Sequence, residues 1–308
     1  MKAKFPTSKK QLVPSALLPE WKAAAETNKM LNYTSRAPNF CRIQKVETET
    51  VNNYSRLYGI ELEVERRSNT PTDIIKRVYE SMPGCVIVKS DSSLSNGFEI
   101  VSAPATLEAH RVFWQNFFIS NTDEKAPASH LKSFDTTTCG MHIHISRASL
   151  NPVLLYNFWN FFNKHNHDEY ISRIAGRGRN SYSAPVESAS FLDTISRNSQ
   201  RYHYVNLSNT ATVEVRIFRG NTDYIGFFKN LDFLDSLLKL LVINPKANGH
   251  DYIKYVLANK QDYPYMHMWL RKHKVDLEAV VPSEIPPKGK KPLGTKVDPS
   301  IFKFPGEE

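Results

Sequence analysis

Two histidines and a serine occupy every second position in the segment Cys-Gly-Met-His-Ile-His-Ile-Ser, residues 139–146. Because side chains alternate between the two faces of a strand, His142, His144 and Ser146 are predicted to share one face. Imidazole binds metal ions and forms directional hydrogen bonds, and a hydroxyl both donates and accepts. The segment therefore predicts a strand that presents a metal-binding or ligand-binding row. The alternative is the solvated face of an ordinary amphipathic strand.

Acidic residues follow the same alternation nearer the N-terminus. Residues 58–65 read Tyr-Gly-Ile-Glu-Leu-Glu-Val-Glu, which predicts a strand with Glu61, Glu63 and Glu65 on one face and apolar side chains on the other. A row of three like charges is repulsive unless water surrounds it or the carboxylates share cations. The row is therefore either a solvated face or part of a cation site.

Two further predicted strands carry acidic residues. The segment Gly-Phe-Glu-Ile-Val-Ser-Ala-Pro places Glu99 among apolar neighbours. Residues 211–219 alternate so that Glu214, Arg216 and Phe218 are predicted on one face and three aliphatic side chains on the other. A surface ion pair between Glu214 and Arg216 would contribute little to stability, so it leaves a functional role open.

Together these segments supply five carboxylates and one imidazole. The candidate metal ligands are Glu61, Glu63, Asp91, Glu99, His142 and Glu214. Oxygen ligands suit Mg²⁺, and an imidazole among them also suits Mn²⁺. His144, Ser146 and Arg216 remain available for a phosphate-bearing ligand, since the arginine fork bonds phosphate bidentately. Two or more divalent cations with nearby arginines are what phosphoryl transfer requires.

The order of these motifs resembles a known family. The motifs are G-x-E-x-E, D-x-S-L, G-x-E-I-V-S-x-P, C-G-M-H-I-H-I-S and V-N-L-x(5)-V-E-V-R. They resemble the amidoligases of phages and bacteria, in the superfamily of glutamine synthetase and glutamate–cysteine ligase. The resemblance covers residues 56–245. It implies a curved antiparallel sheet lined with metal ligands, ATP, and two or more Mg²⁺ or Mn²⁺ ions.

The resemblance also implies individual roles. The six candidate ligands above match the family's metal-binding positions, although the family has a glutamate where this chain has Asp91. His144 and Ser146 resemble nucleotide contacts, and Arg216 and Arg201 resemble phosphate-binding arginines. No counterpart is found for the flap acid or for the ammonium-site aspartate of glutamine synthetase. The resemblance therefore implies a substrate amine as the nucleophile rather than free ammonia.

Three arginines and two glycines cluster in residues 173–182, Arg-Ile-Ala-Gly-Arg-Gly-Arg-Asn-Ser-Tyr. Glycines make such a segment flexible, and arginines make it basic. The segment predicts a mobile active-site loop in which Arg177 and Arg179 contact phosphate or an acidic substrate. The alternative is a solvated surface turn.

The predicted function is an ATP-dependent carboxylate–amine ligase that forms an amide or peptide bond through an acyl-phosphate. The carboxylate donor and the amine acceptor could each be a small molecule, a peptide or a protein tail. One alternative keeps the fold but makes the chain a guanidino or carboxylate kinase. Another is a non-catalytic protein that binds nucleic acid or a virion component. Nucleic acid is possible but less favoured, because the acidic strands would repel it, and the oligomeric state stays open.

Composition restricts the class of protein. The 308 residues are 41% hydrophobic and 11% aromatic, which favours a globular fold. No apolar run reaches the about 18 residues that a membrane span needs, and no secretory signal follows Met1, so the cytoplasm is expected, of the host if a phage encodes the chain. Cys41, Cys85 and Cys139 fit a reducing compartment. Cys139 could be a nucleophile but is more typical of a buried thiol. The net charge of +9 suits ATP, acidic substrates or nucleic acid.

Alternating strands separated by helices predict an α+β fold, a curved antiparallel sheet with helices packed on one face. Helices are predicted over 15–29, 72–81, 106–119, 151–174, 224–241, 251–258 and 265–273, and a further strand over 41–51. The predicted organisation is an N-terminal extension (1–40), a catalytic domain (41–245), C-terminal helices (246–281) and a Pro/Lys-rich tail (282–308).

Overall fold

The computed structural model describes residues 23–24, 26–32, 55–119, 125–163, 168–178, 180, 183–186, 191 and 202–280. The strand predicted over 41–51 and the tail predicted over 282–308 lie outside these ranges, as does most of the helix predicted over 15–29. The boundaries proposed at 40, 245 and 281 stay predictions.

Within the described residues, seven strands form one sheet. The strands are β1 (Tyr58–Arg66), β2 (Val86–Lys89), β3 (Gly97–Ser102), β4 (Leu131–Lys132), β5 (Gly140–Ser146), β6 (Val205–Asn206) and β7 (Thr212–Arg219). Their order is β2–β3–β1–β5–β7–β6, and β4 pairs with the end of β1 that β5 does not reach. Every pairing among these strands is antiparallel. The predicted α+β class with an antiparallel sheet is thus confirmed.

Besides two 3-10 helices, Pro127–His130 and Arg147–Ser149, eight α-helices with both bounds in the described part of the chain accompany the sheet. They are α1 (Ile74–Ser81), α2 (Leu107–Phe113), α3 (Gln115–Phe118), α4 (Pro152–Asn163), α5 (Asp168–Ala175), α6 (Tyr224–Ile243), α7 (Gly249–Ala258) and α8 (Pro264–Val280). None of these helices combines the length with the apolar character that crossing a bilayer requires.

The apolar face of the sheet packs against α6. Ile60, Leu62 and Val64 of β1 are fully buried and belong to the same hydrophobic cluster as the leucines and phenylalanines of α6. Phe218 of β7 and Phe233 of α6 are in edge contact, with ring centroids 6.2 Å apart. Because side chains alternate along a strand, burying this face turns the acidic residues of β1 to the other one.

Helix α6 is buried along most of its length, so its polar side chains need internal partners. Asp232 accepts hydrogen bonds from Arg111 Nη2 (2.6 Å) and from the backbone N–H of Tyr265 (2.9 Å) and Met266 (3.1 Å) at the start of α8. Asp232 therefore caps α8 from a neighbouring helix. This contact fixes the N-terminal turn of α8 against α6.

The structure divides one of the predicted helices. The helix predicted over 106–119 is divided at Trp114 into α2 and α3. Helices α4 and α5 cover 152–163 and 168–175 of the helix predicted over 151–174, and because 164–167 lie outside the described residues, its continuity stays a prediction. Asn163 donates its side-chain amide to Trp159 O (2.7 Å) and accepts from Val186 N (2.6 Å), which ties the end of α4 that is described to the segment at Val186.

Candidate functional site

The strand face opposite the core carries a row of acidic and imidazole side chains, here called the acidic face. Its members are Glu61, Glu63, Glu99, His142, His144 and Glu214. Antiparallel pairing sets Glu61 beside His142, Glu63 beside Glu99, and His144 beside Glu214. The side chains of directly paired residues lie close together, so the four strands β3, β1, β5 and β7 build one continuous surface.

Glu61 lies between the two histidines. Its Oε2 is 3.4 Å from His142 Nδ1 and its Oε1 is 3.3 Å from His144 Nε2. One donor atom from each of Glu61, His144 and Glu214 lies within 4.8 Å of the others, a set that could hold a metal ion. His142 Nδ1 is also 3.6 Å from Glu214 Oε1. The motif predicted His142 as a ligand and His144 as a nucleotide contact, whereas the geometry brings His144 into the ligand set.

The charges at this cluster are coupled. Burial raises the pKa of Glu61, but its hydrogen bond with His142 and its close contact with His144 outweigh burial and hold that pKa well below its usual range. Burial lowers the pKa of His144, yet its contact with Glu61 raises it on balance above the ordinary value. Glu61 and His144 thus form an ion pair, and a metal ion binding here would compete with the imidazole proton.

Glu214 is held by two further side chains. Arg216 Nη1 donates to Glu214 Oε1, and Asn206 Nδ2 donates to Oε2 at 2.7 Å. Asn206 lies on β6 directly opposite Glu214. Sequence reasoning did not single out Asn206, although its place in the V-N-L segment before the V-E-V-R strand was a usable signal. The Glu214 carboxylate is therefore oriented by partners on both sides.

An irregularity in β7 changes which of its residues face the site. The pairing of β5 with β7 shifts between Met141 and Ile143, so two residues of β7, Arg216 and Ile217, occupy the space opposite one residue of β5. Beyond this bulge Phe218 pairs with Met141 and is fully buried. The prediction that Phe218 shares a face with Glu214 and Arg216 is therefore wrong.

The same bulge adds an arginine to the acidic face. Arg219 pairs with Gly140, whose side of β5 is that of His142 and His144. The guanidinium of Arg219 lies over the ring of Phe134, 4.3 Å from its centroid, and donates to Thr136 O at 3.3 Å. Simple alternation does not reveal this arginine.

Arg177 stabilises the bulge instead of reaching into solvent. Its Nε donates to Ile217 O at 3.0 Å and its Nη2 to Arg216 O at 2.5 Å. Burial lowers the pKa of Arg177 to about 10, and the nearby Glu63 carboxylate opposes that shift. A Cβ on Gly140 would lie 3.2 Å from Arg177 Nη1 and 3.3 Å from His142 Nε2, so a larger residue there would crowd both. The geometry gives Arg177 a positioning role, and its predicted contact with phosphate or an acidic substrate stays a prediction.

The remaining acidic residues of β1 and β3 have their own partners. Glu63 Oε2 accepts from Gly140 N at 2.5 Å, and Glu99 Oε2 lies 3.2 Å from Lys89 Nζ. That ion pair lacks hydrogen-bond geometry, so Glu99 Oε2 is buried without a hydrogen bond. Burial and then the charge of Glu61 raise the pKa of Glu99 to about 8, against the effect of Lys89. Lys89 was missed from the sequence, although it ends a short apolar strand opposite Glu99.

Two predicted site residues lie apart from the cluster. Asp91 Oδ1 accepts from Ser93 N at 2.8 Å in the loop before β3, a local turn contact. Ser146 Oγ donates to Ser55 O at 3.0 Å and accepts from Leu57 N at 3.1 Å, so the hydroxyl ties the chain that leads into β1. The structure therefore gives Ser146 backbone partners where the resemblance implied a nucleotide contact.

Some predicted residues remain without a structural test. Arg179 and Arg201 lie outside the described residues, so their predicted phosphate contacts stay predictions.

Cys139 is buried, and burial raises the pKa of its thiol to about 11. A thiol with a raised pKa is a poor nucleophile, which disfavours a catalytic cysteine.

Comparison with known proteins adds no assignment. No protein-family model matches the chain, and no curated protein matches its sequence. The amidoligase resemblance therefore rests on the motifs alone.

Proposed function

We propose that the acidic face binds divalent cations and that the chain is an ATP-dependent carboxylate–amine ligase with a glutamine synthetase-like sheet. The observation that carries the proposal is the convergence of Glu61, His144 and Glu214, whose donor atoms lie within 4.8 Å of one another. Two carboxylates with one imidazole suit Mg²⁺ or Mn²⁺. The order of the motifs supplies the ligase assignment.

The fit of a cation is supported by the charge of this face. Glu99 has a pKa of about 8 because it is buried and close to the negative charges of Glu61 and Glu63. A divalent cation would relieve this repulsion and favour the ionised form of Glu99. In the competing interpretation the face is a network of internal ion pairs, since Lys89 accompanies Glu99 and Arg216 accompanies Glu214.

We assign one ion to the set formed by Glu61, His144 and Glu214, and a second to the directly paired Glu63 and Glu99. Bound there, the ions would neutralise phosphate charge and hold the triphosphate in position. His142, which contacts both Glu61 and Glu214, positions the first set.

Arg216 is the proposed phosphate ligand among the described residues. Its guanidinium donates to Glu214 and lies 5.9 Å from the centroid of the Tyr202 ring. In the proposed complex a cation engages Glu214, and the planar fork of Arg216 bonds an anionic oxygen of the phosphate. Arg179 and Arg201 are proposed for the same role on the sequence alone.

The proposed reaction joins a carboxylate to an amine by way of an acyl-phosphate. The donor and acceptor are a small molecule, a peptide or a protein tail, and the proposed location is the cytoplasm. A guanidino or carboxylate kinase on the same sheet would use the same ions and arginines. The two activities differ in whether an acyl-phosphate forms.

The first experiment measures Mn²⁺ binding by calorimetry for the wild type, Glu61→Gln and Glu65→Gln. Glu65 is a matched control, because it lies on the same face of β1 but pairs with Lys132 at 3.2 Å and Thr138 at 3.0 Å. The proposal expects Glu61→Gln to lose binding and Glu65→Gln to retain it. Wild-type protein that binds neither Mn²⁺ nor Mg²⁺ would leave only the ion-pair network.

The second experiment measures ADP release with Mn²⁺, ATP, pooled amino acids and peptides, and hydroxylamine as a surrogate amine. Hydroxamate formation that Glu61→Gln abolishes would support the ligase. ADP release without hydroxamate, in the presence of a guanidino acceptor, would favour the kinase. Salt-sensitive DNA binding without ATP turnover would favour the non-catalytic alternative.

A further inference from the structure

A concave site lies among the helices, and none of Glu61, His144 and Glu214 lines it. It is a cavity of about 800 Å³ between the first turns of α6, the middle of α8 and the C-terminal end of α5. We call it the basic cavity after the cationic residues that line it, Arg67, Arg173, Arg219, Lys229 and Lys272. Its volume is within the range of small-molecule sites, about 300–1,000 Å³.

Positive charge exceeds negative charge in the lining. The two acidic lining residues, Asp135 and Asp223, already have other partners. Asp135 lies 3.8 Å from Arg67, and Asp223 caps α6 by accepting from Gly226 N at 2.8 Å. The lining thus contains five basic residues and two acidic ones, and this excess of positive charge favours an anion.

Lys229 is the most deeply placed of these cations, with 5% of its surface exposed. Its Nζ donates to Ile174 O near the end of α5 and lies 5.2 Å from the centroid of the Trp269 ring. No carboxylate in the described part of the chain forms an ion pair with it. Burial lowers the pKa of Lys229 to about 7. A buried ammonium without a counter-charge is costly, so this site is incomplete without an anion.

A purely structural role accounts for only part of this arrangement. Lys229 could serve as a cap, because a cation near the last carbonyls of α5 interacts favourably with the helix end. An ammonium has three N–H donors, however, and Ile174 O accepts one of them. A capping lysine can also keep its charged head in water, whereas Lys229 is buried.

The next residue is polar and also deeply buried. Asn230 lines the same cavity and is 1% exposed. Its Nδ2 donates to Met141 Sδ at 3.4 Å, and its Oδ1 is buried without a hydrogen-bond partner. Buried polar atoms without partners are rare in folded proteins, so Asn230 adds a second polar side chain with incomplete hydrogen bonding beside Lys229.

We propose that the basic cavity binds a small organic anion with an apolar or aromatic body. The anionic group lies against Lys229, and Arg173 and Arg219 belong to the same lining. The body packs on the aromatic wall formed by Trp269 and Tyr224. The cavity shares Arg219 with the acidic face but contains none of the proposed metal ligands, so the proposal does not rest on the cation site.

The test is calorimetric titration of the full chain, without metal or nucleotide, using three probes that share one ring. Phenylacetate and phenyl phosphate carry an anionic group, and phenylacetamide is the neutral counterpart. We expect saturable one-to-one binding of at least one anion, about tenfold or more tighter than the amide. The tighter anion distinguishes a carboxylate ligand from a phosphate ligand. An amide that binds equally well, or anions that do not bind at millimolar concentration, would overturn the proposal.

Variants locate the binding. Lys229→Met keeps the length of the side chain without its charge, and we expect it to weaken anion binding about tenfold or more. Lys239→Met is the matched control on the same helix, because Lys239 is exposed and pairs with Asp235 at 3.1 Å. Unchanged affinity in Lys229→Met would place any binding elsewhere and defeat the proposal. Should Lys229→Met fail to fold, Trp269→Leu tests the wall, with weaker binding of all three probes expected.

Discussion

The acidic face and the basic cavity both contain buried charged groups, but the partners of those groups differ. On the acidic face, negative groups from β1, β3 and β7 lie among cations of the same sheet, such as Lys89 and Arg216. In the basic cavity, Lys229 has a carbonyl and an indole ring as its contacts, and no carboxylate among the described residues pairs with it. A cation that binds the acidic face must therefore displace the cationic partners of its carboxylates. An anion that binds the basic cavity would instead supply a counter-charge that Lys229 lacks among the described residues.

The two regions also contain buried ionisable groups whose pKa values move in opposite directions. Burial and neighbouring carboxylates raise the pKa of Glu99 to about 8, and burial lowers that of Lys229 to about 7. Each group therefore resists its charged form near neutral pH. Opposite pH dependences of stability follow, and matched variants can separate them.

The largest expected effect concerns Lys229. Its pKa is depressed in the folded state, so the unfolded chain binds more protons between about pH 7 and about pH 10.4, the ordinary lysine value. The free energy of unfolding of the wild type, minus that of Lys229→Met, should rise with pH across this window by up to about 1.4 kcal/mol per unit. Urea unfolding at several pH values measures the difference. A flat difference would show that Lys229 keeps its proton in the folded protein.

Glu99 should change the pH dependence of stability by a similar amount but in the opposite direction. Its pKa is raised in the folded state, so the folded protein binds more protons between about pH 4.3, the ordinary glutamate value, and about pH 8. The stability of the wild type relative to Glu99→Gln should therefore fall as pH rises through this window. Saturating Mn²⁺ should reduce the fall, because a cation favours ionised Glu99. A difference that rises with pH would contradict the charge repulsion inferred for the acidic face.

A smaller effect is the stabilisation by the metal itself. Mn²⁺ at about a hundredfold above its dissociation constant should raise the free energy of unfolding by about 2.7 kcal/mol. Thermal unfolding should show this gain in the wild type and in Lys229→Met, and Glu214→Gln should lose it. If Mn²⁺ stabilised the wild type and Glu214→Gln equally, the metal would bind elsewhere than at the acidic face.

The smallest expected effect concerns the bulge in β7, which determines which side chains of that strand lie on the acidic face. Arg177→Met removes two hydrogen bonds to the carbonyls of Arg216 and Ile217, so it should cost about 2 kcal/mol in urea unfolding. Lys254→Met, which removes an exposed cation from α7, is the control and should change little. Arg177→Met should also weaken Mn²⁺ binding if the bulge positions the acidic face. If Arg177→Met lowered the free energy of unfolding no more than Lys254→Met does, the hydrogen bonds of Arg177 would not stabilise the bulge.

Local pattern was sufficient for the central strands. The alternation in residues 58–65 and 139–146 placed Glu61 and Glu63, and His142 and His144, on a common face, because a strand has a strict two-residue period. The same reasoning failed at Phe218, where a bulge adds one residue to β7 and reverses the faces. A bulge depends on pairing with another strand, so a single segment does not encode it.

The sequence by itself determined the class of the fold, the strands of the acidic face and the kinds of side chain that they carry. Tertiary structure alone decided which of these side chains meet, including the inclusion of His144 with Glu61 and Glu214 and the contact of Asn206 with Glu214. Tertiary structure also determined where the basic cavity forms, because its lining combines residues as distant in sequence as Arg67 and Lys272. The physical reason is that periodicity governs the direction of neighbouring side chains, whereas packing governs the distance between remote ones.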